Sequence, residues 1–197
     1  MIKRLQPIVV YHGAQRWDPP VVVRPHRGGR AEHGAGIYTT TSYTRARRYA
    51  RGGGVVIRFE LRPGLGWLRD TKLPVETIEA FVRSLPRLRG RQDIIERLHE
   101  LHARRAPRFG DDAPLPLEYL VNIMVNRRVA SGKHGPAVAA FLAKHGADVA
   151  LANQTSSLDS GTPEDWVVIF NPDVITKWDR VSSDLDVNLY DLPLVRR

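Results

Sequence analysis

The sequence predicts an α+β domain whose β-sheet is assembled from both ends of the chain. Strand-like, β-branched runs lie at residues 8–13, 55–61 and 166–170. Between about residues 73 and 146 the apolar residues instead recur with the 3.6-residue period of helices. A chain of 197 residues is long enough for one compact domain. We therefore expect a single domain, residues 1–197, with a helical insertion at about 73–146.

The first fifty residues are expected to hold a strand, a long loop and a strand–helix unit. Residues 7–13 form a β-branched run closed by glycine, which is typical of a buried strand. Residues 14–35 contain too many prolines and glycines for regular structure, and many of their side chains are Arg. Residues 36–40 predict a brief extended piece, Thr41-Ser42 a helix cap, and the triple glycine at 52–54 the end of that helix.

Apolar stripes define the helical insertion. They consist of Val75, Ile78, Phe81 and Val82, then Ile94, Ile95, Leu98 and Leu101, then Leu117, Leu120, Ile123 and Met124. These stripes predict three or four short helices, and a last helix is expected over 136–145. After that helix, residues 148–151 and 166–170 are predicted strands, the second of them stopped by Asn171-Pro172. Residues 187–190 are a candidate edge strand.

Composition limits the chemistry that the protein can use. The chain has no cysteine, which excludes disulfides, thiolate catalysis and iron–sulfur clusters. The formal charge is +9, and most of the basic residues are Arg, whose guanidinium binds phosphate in a bidentate manner. We therefore expect a pyrophosphate ligand or a nucleic-acid partner. No run approaches the roughly 20 apolar residues of a membrane helix, so we expect a cytoplasmic protein without a membrane partner.

A metal site is not expected. His99 and His102 lie three residues apart on a predicted helix, where Glu96 or Glu100 could join them as ligands. Such a site would still need a third ligand and a supporting shell of hydrogen bonds, and the adjacent Arg104-Arg105 pair is unfavourable for a cation.

Three short motifs occur one after another along the chain, and their order and spacing are informative. Tyr11-His12-Gly13 ends the first strand, Gly36-Ile37-Tyr38-Thr39-Thr40 follows about 25 residues later, and the run 166–172 lies near the end. Their order and spacing resemble the His-Tyr-Glu type of ADP-ribosyltransferase fold, the branch of diphtheria toxin and poly(ADP-ribose) polymerase. The resemblance implies a split β-sheet core and NAD as co-substrate.

The same resemblance implies a set of NAD-binding residues. The backbone of Gly13 would hold the nicotinamide amide, and His12 would bind the ribose on the adenosine side. Tyr38 and Tyr49 keep the family's eleven-residue spacing between the two tyrosines whose rings enclose the nicotinamide. Thr39, beside Tyr38, and Arg27, in the Arg-rich loop, complete the expected NAD-binding set.

The catalytic acid is less clearly indicated. Cleavage of the nicotinamide–ribose bond passes through an oxocarbenium-like state, which needs a nearby carboxylate. Counted back from Pro172 without a gap, the family's glutamate position falls on Trp166, and Asp165 or Glu164 reaches it only through an extra residue or a bulge. Asp165 and Glu164 are the candidate catalytic residues. The alternative is that these two residues form only a solvated turn before the strand.

These residues suggest an NAD-dependent mono-ADP-ribosyltransferase. The resemblance and the small basic chain point to a bacterial toxin or phage-defence effector, with RNA or DNA favoured over protein as acceptor and with an antitoxin or immunity protein as a further partner. The alternative function is a non-catalytic NAD- or nucleic-acid-binding module, which Trp166 at the glutamate position favours.

Overall fold

The computed structural model describes residues 7–25, 33–156 and 163–181, which form two compact units. The first unit contains the described parts of 1–23, 37–65 and 148–197, and the second those of 24–36 and 66–147. Arg27 and the candidate strand 187–190 lie outside the described residues.

The described residues contain eight strands and five α-helices. The strands are β1 (Ile8–Ala14), β2 (Ile37–Thr40), β3 (Val55–Leu61), β4 (Lys72–Leu73), β5 (Leu115–Pro116), β6 (Val149–Ser156), β7 (Pro163–Ile169) and β8 (Ile175–Val181). The helices are α1 (Tyr43–Tyr49), α2 (Val75–Ser84), α3 (Arg91–Phe109), α4 (Leu117–Asn126) and α5 (Gly135–Lys144). Among these helices none is long and apolar enough to cross a bilayer.

The first unit is built on a six-stranded sheet in the order β6-β7-β2-β1-β3-β8. Every neighbouring pair of strands is antiparallel. The first three strands of the chain lie inside the sheet, and strands from the last third pair at both sides of them. This arrangement confirms the predicted α+β class and the prediction that both ends of the chain supply the sheet.

Helix α1 packs on one face of this sheet. Ser42 begins the helix as its N-cap, because its Oγ accepts a hydrogen bond of 3.2 Å from the backbone N–H of Arg45. Tyr43 and Ala46 of α1 are buried against Tyr11 and Val56 of the sheet, and the rings of Tyr11 and Tyr43 meet edge to face. The apolar face of a seven-residue helix thus fixes α1 directly after β2.

Several elements differ from the sequence expectations. β7 begins at Pro163, so the interpretation of Glu164 and Asp165 as a solvated turn is wrong: both are buried within a strand. The edge strand β8 was not predicted, because it is exposed along most of its length and lacks an alternating apolar pattern. The two-residue strands β4 and β5 are too short to produce a pattern. α3 has 19 residues and is longer than the short helices expected in this region.

One buried aspartate joins three segments of the first unit. Asp148 precedes β6, and its carboxylate accepts hydrogen bonds from Arg62 Nη2 at 2.8 Å and Asn171 Nδ2 at 2.7 Å. Its backbone carbonyl accepts from the N–H of Phe170 at 2.8 Å. Because Asp148 is almost fully buried, these bonds replace the water that the carboxylate has lost. Asp148 therefore connects the end of β3, the start of β6 and the end of β7.

We expect Asp148→Ala to lower the free energy of unfolding by about 2–3 kcal/mol, because it removes two hydrogen bonds to a buried charged group. Asp179→Ala is the matched control, since Asp179 is exposed and its ion pair with Lys177 is worth at most about 1 kcal/mol. Urea unfolding followed by circular dichroism measures both variants. Equal losses of stability would contradict the role given to Asp148.

The second unit is helical, with a small sheet of β4 and β5. Helices α2 and α3 are connected by a bond between His99 Nε2 and the carboxylate of Glu79. This bond, together with the one from Arg83, holds the pKa of Glu79 below its usual range. Among the described residues no group of three His, Asp or Glu side chains is arranged to hold a metal ion.

Candidate functional site

The sheet of the first unit divides between β1 and β2. In the described residues these strands pair at one position, Tyr11 with Thr40. Beyond it β1 continues along β3 for its whole length, and β2 continues along β7. Residues 12–14 and 37–39 therefore lie on the two sides of an opening, and the motifs Tyr11-His12-Gly13 and Gly36–Thr40 meet there.

His12 bridges this opening. Its Nδ1 lies 2.8 Å from the backbone carbonyl of Tyr38. A carbonyl oxygen can only accept, so Nδ1 carries the proton, and in the neutral ring Nε2 is then an acceptor. The ring is also packed beside Trp17 and Phe59, with ring centroids at 5.4 and 6.5 Å. The orientation and the tautomer of His12 are thus set by its neighbours.

Gly13 lies directly beneath α1. A Cβ added at this position would come within 1.7 Å of the carbonyl oxygen of Ala46 and within 3.1 Å of Cβ of Tyr49. Only a glycine permits this approach of strand and helix. The close contact brings the end of β1 next to the residues that α1 carries.

Glu164 forms the centre of a polar cluster between β7 and α1. Its Oε1 accepts hydrogen bonds from Arg45 Nε at 2.8 Å and from Trp166 Nε1 at 3.1 Å, and the residue is only 3% exposed. The ring of Tyr49 meets Trp166 edge-on, with centroids 5.6 Å apart. A buried carboxylate therefore lies beside an indole ring that contacts an exposed tyrosine. The cluster consists of Glu164, Arg45, Trp166 and Tyr49, and we call it the Glu164 cluster.

Asp165 faces away from this cluster. Neighbouring residues of a strand point to opposite sides of a sheet, so Asp165 lies on the face opposite Glu164 and Trp166. It is fully buried, and its backbone is fixed to β2: its N–H donates to Thr41 Oγ1 and its carbonyl accepts from the N–H of Thr41, both at 3.0 Å. Of the two candidate catalytic acids, Glu164 is therefore the one whose side chain contacts Arg45 and Trp166.

The register explains how Glu164 reaches that position. β2 and β7 pair without interruption from Ile37 opposite Ile169 to Thr40 opposite Trp166. The irregularity lies instead in β6, between Leu151 and Asn153. The extra residue considered for β7 is therefore absent from its pairing with β2. Glu164 shares a face with Trp166 simply because it lies two residues before it.

The predicted tyrosines differ in their surroundings. Tyr38 is half-buried and pairs with Val168, which puts it on the same face of the sheet as Trp166. Tyr49 is 55% exposed, so it is not a core residue. Thr39 is buried on the opposite face, and its Oγ1 donates to the carbonyl of Val167 at 2.7 Å. The side chain of Thr39 therefore connects β2 to β7.

The roles of three residues could not be recognised from the sequence. Arg45 was one of many arginines, and nothing in the spacing indicated that it would pair with a carboxylate 119 residues away. Trp166 was considered only as the occupant of a glutamate position, whereas its indole N–H orients Glu164. Trp17, which packs against His12, lies in a loop without a recognisable pattern.

The fold and this site define an α+β protein with a divided antiparallel sheet, in which a buried glutamate pairs with a partly exposed arginine beside exposed aromatic surface. No protein-family model, curated protein or solved structure matches the chain. The function of the protein is therefore inferred from the residues and contacts of the site itself.

Proposed function

We propose that this protein is an NAD-dependent mono-ADP-ribosyltransferase that releases nicotinamide and modifies a nucleic acid or a protein. The observation that carries the proposal is the Glu164 cluster, in which a buried carboxylate accepts a hydrogen bond from the indole of Trp166, whose ring in turn contacts the exposed ring of Tyr49. Such a combination suits a reaction in which a flat ring that is cationic in the substrate departs as a neutral molecule and positive charge develops on a sugar. NAD is the co-substrate, and the mechanism requires no metal.

The reaction breaks the bond between the nicotinamide nitrogen and C1′ of the ribose. The bonding electrons leave with nicotinamide, the acceptor forms a new bond to C1′, and the acceptor loses a proton. In this proposal the carboxylate of Glu164 stabilises the oxocarbenium-like ribose, and Arg45 and Trp166 orient that carboxylate. The acceptor proton is then available for transfer to the carboxylate or to water.

The remaining residues would bind NAD. Tyr38 and Tyr49 lie on the face of the sheet that carries Glu164, where their rings can enclose the nicotinamide. His12 lies between Tyr11 and Gly13, which face α1, so its ring lies on the opposite face of β1, and in this proposal it would bind a ribose hydroxyl from that side of the opening. The backbone of Gly13, at the opening between β1 and β2, suits the nicotinamide amide.

The charge of the chain favours a nucleic-acid acceptor over a protein acceptor. The formal charge is +9, and α1, which borders the site, contains three arginines and no acidic residue. Toxin or phage-defence activity, with an antitoxin or immunity protein as partner, remains the biological context that the sequence resemblance implies.

The test is nicotinamide release from NAD by the full chain, with water, RNA, DNA or protein as acceptor. We expect Tyr49→Ala to lower release about tenfold, since a cation–π contact is worth roughly 0.5–2 kcal/mol. Phe109→Ala in the second unit is the matched control, because Phe109 is equally exposed, and release with water as acceptor should not change. Absence of release with every acceptor would refute the transferase.

A second function has one observation in its favour. Trp166 occupies the position at which the resemblance calls for glutamate, so the fold could bind NAD or nucleic acid without catalysis. Titration calorimetry measures whether NAD binds, and the release assay shows whether it is cleaved. A binding module would bind NAD and leave it chemically unchanged. Binding of NAD without any release of nicotinamide would favour this second function.

A further inference from the structure

Charge is segregated along α3 of the second unit. The acidic residues of this helix, Asp93, Glu96 and Glu100, all lie in its first ten residues. Asp93 pairs with Arg127, and Glu100 pairs with Arg97. The last nine residues, 101–109, contain three arginines and no acidic residue. In the part of the chain that the structure describes, none of these three arginines forms an ion pair.

The three arginines are Arg104, Arg105 and Arg108, and with Phe109 they form what we call the α3 arginine patch. Arg104 and Arg108 are one helical turn apart and both are exposed. The guanidinium of Arg105 lies 4.5 Å from the ring centre of Phe109 and 5.8 Å from that of Tyr119. The guanidinium of Arg108 lies 5.5 Å from the ring of Phe109.

Aromatic contacts, not hydrogen bonds, hold Arg105 in position. Its Nε is buried and has no hydrogen-bond partner among the described residues. A guanidinium that stacks on rings keeps its planar orientation and loses less entropy when it binds a further group. Phe109 remains 54% exposed despite these contacts, so part of its ring is open to a ligand.

We propose that the α3 arginine patch binds single-stranded nucleic acid. Pre-oriented guanidinium groups without a carboxylate partner are suited to backbone phosphates, and an exposed aromatic ring among them is suited to an unpaired base. The second unit carries fourteen Lys and Arg against nine Asp and Glu over residues 66–147, which adds a favourable long-range field. The patch does not depend on the proposed transferase activity. If that activity is present, the patch selects the acceptor.

A purely structural role and an acidic partner both fit the patch less well. Arginines in the last turns of a helix stabilise it through the helix dipole, but that effect requires neither stacking nor an exposed ring. An acidic polypeptide would match the charge, but its carboxylates would make no use of the exposed part of Phe109. The observed combination of charge and exposed aromatic surface favours nucleic acid.

The test measures binding of a fluorescein-labelled RNA of mixed sequence, about 20 nucleotides long, to the full chain by fluorescence anisotropy. The patch variant combines Arg104→Gln, Arg105→Gln and Arg108→Gln. The control variant combines Lys72→Gln, Arg87→Gln and Arg89→Gln, which removes three exposed charges from the same unit. Circular dichroism and thermal unfolding establish that both variants are folded.

We expect the patch variant to bind at least tenfold more weakly at about 50 mM salt, and its slope of log affinity against log salt to fall by about 2. The control variant should change affinity by less than about threefold, because its charges act only at a distance. Phe109→Ala should weaken binding of single-stranded RNA more than binding of an RNA duplex.

Three results would overturn the proposal. They are absence of RNA binding by the unaltered chain at low salt, equal losses in the patch and control variants, and displacement of RNA by polyglutamate of equal charge as effectively as by unlabelled RNA. The last result would identify an acidic protein as the partner. Nicotinamide release with water as acceptor should be unchanged in the patch variant. The binding assay therefore tests the nucleic-acid proposal, and the release assay tests the transferase proposal independently.

Discussion

Gly13→Ala is expected to destabilise the protein by at least about 3 kcal/mol, near or above the upper end of the usual cost of overpacking. The added Cβ would lie 1.7 Å from the carbonyl oxygen of Ala46. A backbone carbonyl in a helix cannot rotate away as a flexible side chain can, so α1 would have to move off β1. That movement would disrupt the packing of Tyr43 and Ala46 on the sheet.

The matched control is Gly53→Ala. Gly53 has a φ of +84°, but a Cβ there would meet no atom within 4 Å. Its substitution therefore carries only the cost of the left-handed backbone, about 1–2 kcal/mol. Urea unfolding of both variants, followed by circular dichroism, separates the two costs. A loss for Gly13→Ala no larger than that for Gly53→Ala would mean that α1 does not lie against β1 as described.

Gly13 also illustrates what can be predicted from sequence. A β-branched strand with a glycine near its end was recognisable from residues 7–13 alone, and so were the strand over 55–61 and the cap at Ser42. Each of these features is local, because the side chains that define it are neighbours in the chain. The contact between Gly13 and Ala46 is not local, and its cause became visible only when α1 was found on β1.

The residues of the candidate site also fall into those that local sequence identified and those that depend on pairing with distant strands. His12, Gly13 and Tyr38 were singled out by motif, and the structure brings His12 and Tyr38 into contact. The choice between Glu164 and Asp165 could not be made from sequence, because adjacent residues exchange faces with a shift of one position in register. Register depends on pairing with β2, more than a hundred residues away in the chain. Arg45 was unrecognisable for the same reason.

Of the two acids, Glu164 is expected to have the larger effect on activity. If the proposed transferase reaction occurs, we expect Glu164→Gln to lower nicotinamide release about 10²–10³-fold, the usual cost of removing one electrostatic group from a transition state. Glutamine keeps the size of the side chain and an oxygen that can accept from Arg45 and Trp166. The loss of stability should therefore stay at about 1–2 kcal/mol, and the variant remains folded in the assay.

Asp165→Asn is the matched variant, because it makes the same chemical change one residue away on the opposite face of β7. We expect Asp165→Asn to retain nicotinamide release within about threefold of the unaltered protein when equal amounts of folded protein are compared. A threefold change corresponds to about 0.7 kcal/mol in the activation barrier, which is too small for the loss of a charge that stabilises the transition state. The reverse result, with Asp165→Asn inactive and Glu164→Gln active, would assign the acid to the other face of the sheet. In that case Arg45, Trp166 and Glu164 would form a structural cluster, because a carboxylate fixed between a guanidinium and an indole also connects α1 to β7.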